Sequence, residues 1–487
     1  MNEKLSEFLI STDLFETKED KKEKAEYIHF LQGLGTKWVS EVARLKKQKT
    51  HFTGDHVPCK VMVQGSTVIG VSFKGSDVDA VMLVPNFIDR SDFFDSFVSK
   101  LKTSDKVKNL TPVPDTFVPL IRLWVLGIKV DLLISVLGTS YVPSRLDFTQ
   151  PVGDLYNNMD EVSIRSLSGL HMAYEVKNLL SASPLFLALL RTVRVWVSAR
   201  SLGSYVQGFP SSAAWTVLAL YVCKQAMGDP LEGMKAPGNC ICKYDDRGPE
   251  DSQTENHCNH SLTCLVHSFF GLFASWPWPK PVIIDPQRYS SEMSEMCWDS
   301  ESNPHDLMPI ITPVFPYINA AYTVRRVTRQ IVLDELKRGR DIVRSVASGE
   351  KNWNELFQQY DLRYEYRHYI FITFKAVSQN ELNVVGGLID ANIRVFLQEL
   401  ENVESITSTR AALVPVIANE NDAADYQRVW VVGMAIEPGP RLPDGTRARK
   451  RVDVTACWDS FIHTLSQKDP STNFKAKLTH EYRKRRG

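Results

Sequence analysis

Apolar residues recur at helical spacing through residues 17–49 (TKEDKKEKAEYIHFLQGLGTKWVSEVARLKKQK). Ile28, Leu31, Leu34, Trp38, Val42 and Leu45 fall three or four apart, which predicts a helix with one buried stripe, weakened in its middle by Gly33 and Gly35. From 58 to 85 the pattern becomes strand, turn, strand: CKVMVQ, then GS, then DVDAVMLV closed by Pro85. FIDRSDFFDSFVSKLK predicts a helix with Ser91 as N-cap and Phe94, Phe97, Val98 and Leu101 on one face. Residues 117–137 (FVPLIRLWVLGIKVDLLISVL) predict two strands joined through Gly127, so 58–137 is a small mixed α/β unit. Helical patterning returns over 160–225, in LFLALLRTVRVWVSAR and SSAAWTVLALYVCKQA. Residues 229–261 are polar and rich in Gly and Pro, which predicts a surface loop, and LMPIITPVFPYINAAY (307–322) closes the middle region. From about 340, YRHYIFITFKAV, NIRVFLQELE and QRVWVVGMAIE alternate strand and helix, as in a separate α+β domain.

Composition adds exclusions. The apolar fraction of 43% and charged fraction of 23% are those of an ordinary globular chain, and no apolar run approaches the ~18 residues of a membrane span. The N-terminus lacks a charged segment followed by an apolar one, so no export signal is expected, and the eight scattered cysteines are then reduced thiols of the cytosol or nucleus. A net charge of +0 argues against a uniformly basic coat for nucleic acid but leaves room for local basic patches.

The chemistry starts at Asp77 and Asp79. In a strand they share a face with Val81 and Leu83, and two buried carboxylates so placed repel unless water or cations hold them. Asp131 is a third, set among apolar residues in IKVDLLIS. Three carboxylates on neighbouring strands form a hard oxygen site suited to Mg²⁺ or Mn²⁺ and to two-metal phosphoryl transfer. Gly65 allows close approach of a phosphate, and Ser66 offers N–H and hydroxyl donors. A bare D-x-D also ends many solvated strands and occurs in metal-dependent glycosyltransferases.

The constellation resembles the nucleotidyltransferase superfamily that includes DNA polymerase β. The phrases GSTVIGVSFKGSDVDA, IDRSDFF, FVPLIRLW…GIKVDLL, IRSLSGL, WPWPKPV, LMPIITPVFP and VDVT are similar, in order, to those of eukaryotic nuclear poly(A) polymerase. The resemblance runs from about residue 20 onward. It implies an α/β and α+β chain: N-terminal helices (1–50) packing with the middle domain, a polymerase-β-like catalytic domain (51–160), a helical middle domain (161–335) with the 229–261 loop inserted, and an RRM-like RNA-binding domain (336–487). It implies that Asp77 and Asp79 bind both of two Mg²⁺ or Mn²⁺ ions, and that Asp131 binds one and helps deprotonate an RNA 3′-hydroxyl. Gln64, through its backbone, with Gly65 and Ser66 would hold the triphosphate of ATP. Phe117 would pack near the base or primer end, ordinary core packing being its alternative, and Arg122 would keep a positive charge there. Thr312 would lie close to the adenine pocket.

Several positions depart from the family pattern. Arg194 stands where the family has a triphosphate-contacting lysine, and a planar fork replaces a point charge. The family's tyrosine and asparagine fall on Gly203 and Tyr205, and its Gly-Gly becomes Ser211-Ser212 before Ala213; backbone groups of Ser212 and Ala213 can still serve. These changes spare the metal chemistry and leave nucleotide choice open. Cys240, Cys242, His257, Cys258, His260 and Cys264 lack the paired spacing of a zinc knuckle, so zinc is not expected. Residues 441–487 hold an excess of Lys and Arg, and TRARKR supplies Arg447, Arg449, Lys450 and Arg451 as candidate RNA contacts. The resulting expectation is a monomeric nuclear poly(A) polymerase that meets RNA 3′ ends, ATP and cleavage and polyadenylation factors. The rivals are a terminal transferase of other nucleotide choice, such as UTP, and a non-catalytic RNA-binding scaffold.

Overall fold

The computed structural model describes residues 2–49, 52, 54–114, 116–148, 150, 152–182, 184–226, 261–412, 426–448, 450–469 and 477–482. Arg449 and most of the Cys/His-bearing 229–261 loop lie outside these residues. Two N-terminal helices come first, α1 (Asn2–Ser11) and α2 (Lys18–Leu45). Thr17 caps α2 reciprocally with Asp20: its hydroxyl accepts from the Asp20 N–H at 3.2 Å, and the Asp20 carboxylate accepts from the Thr17 N–H at 2.8 Å. The helices part company in packing. α1 sends Leu5 and Leu9 into the core of the middle region. The expectation that the N-terminal helices pack with the middle domain is corrected for α2, whose Leu31, Trp38 and Val42 lie against the catalytic sheet. Gly35 makes that approach possible: a Cβ there would sit 2.9 Å from both Cys59 Sγ and Met82 Cε. A residue that reads as a helix weakener is therefore the contact point between helix and sheet.

That sheet has strands β1 (Lys60–Val63), β2 (Val78–Val84), β3 (Val107–Val113), β4 (Leu120–Val125) and β5 (Ile128–Val136) in the order β1-β2-β5-β4-β3. β2 and β5 run parallel and the other pairs are antiparallel. Between β2 and β3 the chain is helical from Arg90 to Lys102 with a π-turn at Phe93–Phe97. Its cap is Asp89 rather than Ser91, since the Asp89 N–H bonds the Asp92 carboxylate at 2.9 Å. One sheet face (Val78, Ala80, Met82, Leu132, Ile134) meets α2 and this helix. The other (Val81, Leu83, Leu133) is covered by α3 (Glu161–Ala182) through Ile164, Leu167 and Leu170, and by the segment around Ile311, Phe315 and Tyr317.

The middle region adds α4 (Pro184–Ala199), α5 (Ser212–Ala226), α6 (Leu262–Ala274) and α7 (Arg326–Ala347). Trp196 is its centre, edge-on to Trp215 at 5.4 Å and to Phe270 at 5.0 Å. The C-terminal part runs β6 (His368–Ala376), α8 (Gln379–Glu401), β7 (Ile406–Ala412), β8 (Tyr426–Ile436), α9 (Thr455–Lys468) and β9 (Lys477–Tyr482). Its antiparallel sheet has the order β9-β6-β8-β7, and α8 and α9 share a core with one face of it. The opposite face packs Tyr369, Phe371, Val429 and Val431 against Tyr360, Leu362 and Tyr366. Gly433 backs onto Tyr366, whose ring a Cβ would meet at 2.4 Å.

Middle and C-terminal regions are joined by buried charge. Arg200 makes two bonds to Glu335, at 2.9 and 2.7 Å, and one to the Gln358 carbonyl. Arg410 of β7 lies over Tyr360 at 3.6 Å and donates to the Ser201 carbonyl at 3.1 Å. Arg325, just before α7, pairs with Glu401 at the end of α8 and donates to the Gln207 carbonyl at 2.8 Å. The short 3₁₀ turn Tyr205–Gln207 is thereby pinned, and Val206 packs into the core beneath α8.

Candidate active site

Strand register assembles the acids. Asp79 in β2 lies opposite Asp131 in β5, and Asp131 lies opposite Arg122 in β4. Asp79 shares a sheet face with Val81 and Leu83, and Asp131 with Leu133. The apolar members lie beneath α3 and the acids stand at the end of the face where that cover stops. Asp77 precedes β2, entered through Ser76, whose carbonyl accepts from buried Lys24 of α2 at 3.1 Å.

Two of the acids have protein partners. Lys129 ion-pairs with Asp77. Arg122 holds Asp131 by two parallel bonds, Nε to Oδ1 at 3.0 Å and Nη2 to Oδ2 at 3.1 Å. Asp79 has no ion pair among the described residues. It opens to solvent on one side but is walled by protein. Desolvation first, then Asp131 and Asp77, push its carboxyl up to about 6, against the pull of Lys129 and Lys24. An acid without an ion pair of its own, flanked by two further acids, with oxygen donors on adjacent strands, fits divalent-cation ligation.

The other candidates divide between the recess and the scaffold. Gly65 has φ +63 and ψ −140 and begins a single helical turn, Ser66–Ile69; its missing Cβ would lie 3.4 Å from Asp79 Oδ2. Ser66 donates to the Ser72 hydroxyl at 3.5 Å. The Gln64 N–H bonds the Asp79 carbonyl at 2.9 Å; its buried side chain lies against Gly169 of α3 and leaves Oε1 without a partner. Arg194 reaches Ser212 Oγ at 2.6 Å and stands 5.2 Å over Phe73; burial lowers its guanidinium pKa, opposed by Asp79 across the recess. Ala213 is half-buried against the middle core. Tyr205 is 54% exposed, and its hydroxyl is held above its ordinary pKa by desolvation and by Tyr322, Asp131 and Asp79, with Arg122 opposing. Phe117 is 58% exposed and carries Arg165 at 4.4 Å from its ring, so core packing does not describe it. Thr312 is buried, and its hydroxyl closes a turn by accepting from the Ile318 N–H at 3.0 Å. Arg447 and Lys450 lie far along the chain, in a hairpin where Lys450 pairs with Glu437 at 3.4 Å; Arg451 is exposed.

Lys129, Arg165 and Tyr322 were missed in the sequence. Lys129 carried a signal: it is two residues before Asp131 in a strand, hence on the same face. Arg165 and Tyr322 come from distant segments and had none. Among the described residues no three His, Cys, Asp or Glu side chains are closed up around a metal position, Asp77 and Asp131 being turned to Lys129 and Arg122, and no helix is long and apolar enough to cross a membrane.

Comparison with known proteins adds family and fold. Residues 1–180 match the model of the poly(A) polymerase nucleotidyltransferase domain and residues 257–359 that of the poly(A) polymerase central domain, together more than half of the chain. The chain is similar to poly(A) polymerase PAPa of Candida albicans, 27% identical over 410 residues covering 83% of this chain and 68% of the relative. It is 28% identical to poly(A) polymerase of Dictyostelium discoideum over 402 residues, 82% of this chain and 46% of that one. A solved structure of a mutant Cid1 poly(U) polymerase bound to MgATP superposes with a TM-score of 0.50 at 14% identity, covering 74% of this chain and 100% of that chain, a likeness of fold.

Proposed function

From its membership of the poly(A) polymerase family, we infer that this chain adds AMP from ATP to the 3′-hydroxyl of RNA without a template, releasing pyrophosphate. The observation that carries the reading is the register that sets Asp79 beside Asp131 at the uncovered end of one sheet face, with Gly65 against Asp79. Asp77, Asp79 and Asp131 would hold two Mg²⁺ or Mn²⁺ ions, which supply activation of the attacking oxygen and neutralisation of the triphosphate. Asp131, released from Arg122, would take part in accepting the proton of the 3′-hydroxyl. Gly65 lets the phosphates come close, and the first N–H groups of the turn after it would donate to them. Arg194 steadies the triphosphate, while Tyr205 and Tyr322 border the base. Phe117 with Arg165 offers a stacked, positively charged edge for the RNA end.

We assign the C-terminal part an RRM-like role in holding RNA, supported by its strand order and by basic Arg447, Lys450 and Arg451. Nuclear location, monomeric state and contact with cleavage and polyadenylation factors belong to the same proposal. The scaffold alternative gives no physical reason to keep three repelling acids together.

The test is extension of labelled oligo(A) RNA by the purified chain. ATP, UTP, GTP and CTP are offered singly, with Mg²⁺ and with Mn²⁺, beside the Asp77→Ala/Asp79→Ala double variant. ATP-selective extension lost in the variant is the expected result. Extension favouring UTP keeps the mechanism and replaces the substrate. No extension while RNA still binds overturns the reading in favour of a scaffold.

A further inference from the structure

The three carboxylates share their recess with three cations. Lys129 pairs with Asp77, Arg122 grips Asp131, and Arg194 acts on Asp79. The formal charges cancel. Divalent ions arriving alone would make this balanced recess strongly positive; ions arriving with a triphosphate would leave it near neutral.

The cations differ in how firmly they are held. Arg122 is fixed by strand register and a bidentate grip, and Arg194 is tied to Ser212 and Phe73. Lys129 is a single ammonium on a flexible stem at the start of β5, and its side chain is 32% exposed. It shares a strand face with Asp131, two residues on, and reaches across to Asp77, so it bridges the strands that carry the prospective ligands. Resting on the polymerase reading, we propose that Lys129 is a built-in counter-ion of the metal site. It occupies Asp77 in the free chain, opposes binding of metal alone, and turns outward when metal and nucleotide enter together. Lys129 is then a positioning residue that couples metal binding to nucleotide binding.

A unit charge a few ångströms from a divalent ion at a wet protein surface opposes its binding by at least about tenfold. The experiment is titration of Mn²⁺ into the full chain without nucleotide, followed by electron paramagnetic resonance of the free ion. Lys129→Gln is expected to bind Mn²⁺ at least about tenfold more tightly than the natural chain. Lys129→Arg should bind as the natural chain does, and Lys102→Gln, which removes an exposed lysine elsewhere, should change nothing. The gain should vanish when Asp79→Ala is added. A non-hydrolysable ATP analogue should tighten Mn²⁺ binding less in Lys129→Gln than in the natural chain. Circular dichroism confirms that each variant is folded. Equal or weaker Mn²⁺ binding by a folded Lys129→Gln overturns the proposal. Failure of the natural chain to extend RNA would instead overturn the polymerase reading, and the Mn²⁺ comparison would still decide the role of Lys129.

Discussion

Gly65→Ala tests whether the turn proposed to hold the phosphates is built for their approach. At φ +63 and ψ −140 the backbone lies where an L residue is strained by ~1–3 kcal/mol. The added methyl would sit 3.4 Å from Asp79 Oδ2, an ordinary contact, so the strain comes from the backbone and not from a clash. The chain has two ways to respond. If it keeps the conformation, stability falls by about 2 kcal/mol, a drop in Tm of roughly 4–8 °C for a cooperative unit of this size. If the turn relaxes, Ser66 and the N–H groups after it leave their places, and KM for ATP rises by about tenfold or more while Tm is preserved. Thermal melts and initial-rate extension assays on one preparation separate the two. Gly75→Ala is the comparison: φ is +72 with nothing within 4 Å, so it should cost about 1 kcal/mol and leave KM alone. Natural Tm and natural KM together in Gly65→Ala would refute the reasoning.

Three further outcomes follow from the geometry. Burial, reinforced by Arg288 and opposed by Glu292, lowers His171 from 6.5 to about 4, and its Nδ1 lies 2.8 Å from the Tyr156 hydroxyl. The unfolded chain therefore takes up this proton first as pH falls. The stabilisation is complete above 6.5 and is lost towards 4, so urea melts should show about 2 kcal/mol less stability at pH 5 than at pH 7 from this group, a loss absent in His171→Phe. Glu335→Leu leaves Arg200 buried without its partner and should destabilise by about 3–5 kcal/mol in denaturant melts, much of it recovered in Arg200→Met/Glu335→Leu. Tyr205→Ala, at an exposed site, should change stability by less than about 0.5 kcal/mol while raising KM for ATP roughly tenfold and broadening choice among the four nucleotides.

The acids were legible because chemistry and periodicity agree at them: Asp79 and Asp131 sit in strands, and Asp77 at the entry to one, where alternation fixes the face and apolar neighbours make a carboxylate conspicuous. The strand pair meeting at Gly127 was legible for the same reason. β3 was not, since only three of its seven residues are even partly buried and an exposed edge strand carries little alternation. Ser91 looked like a cap because Ser is a good one, but Asp89 caps the helix two residues earlier. Gly35 misled because propensity describes an isolated helix, whereas here the missing Cβ admits Cys59 and Met82. The guanidinium of Arg122 shows the limit of residue-by-residue transfer. Its charge was anticipated, but its grip on Asp131 depends on a register that only the folded sheet supplies.

The 3₁₀ turn at Tyr205–Gln207 limits how modular this chain can be. Tyr205 borders the recess of the acids, Val206 packs against the core under α8, and the Gln207 carbonyl is held by an arginine whose counter-charge is Glu401. A chain cut before β6 would expose Val206 and strand Arg325 without its partner, so truncation would not yield a smaller working core. On the proposed function, exchange of C-terminal parts between relatives would carry nucleotide preference along with RNA grip. The two traits would be inherited together, through a single turn of backbone.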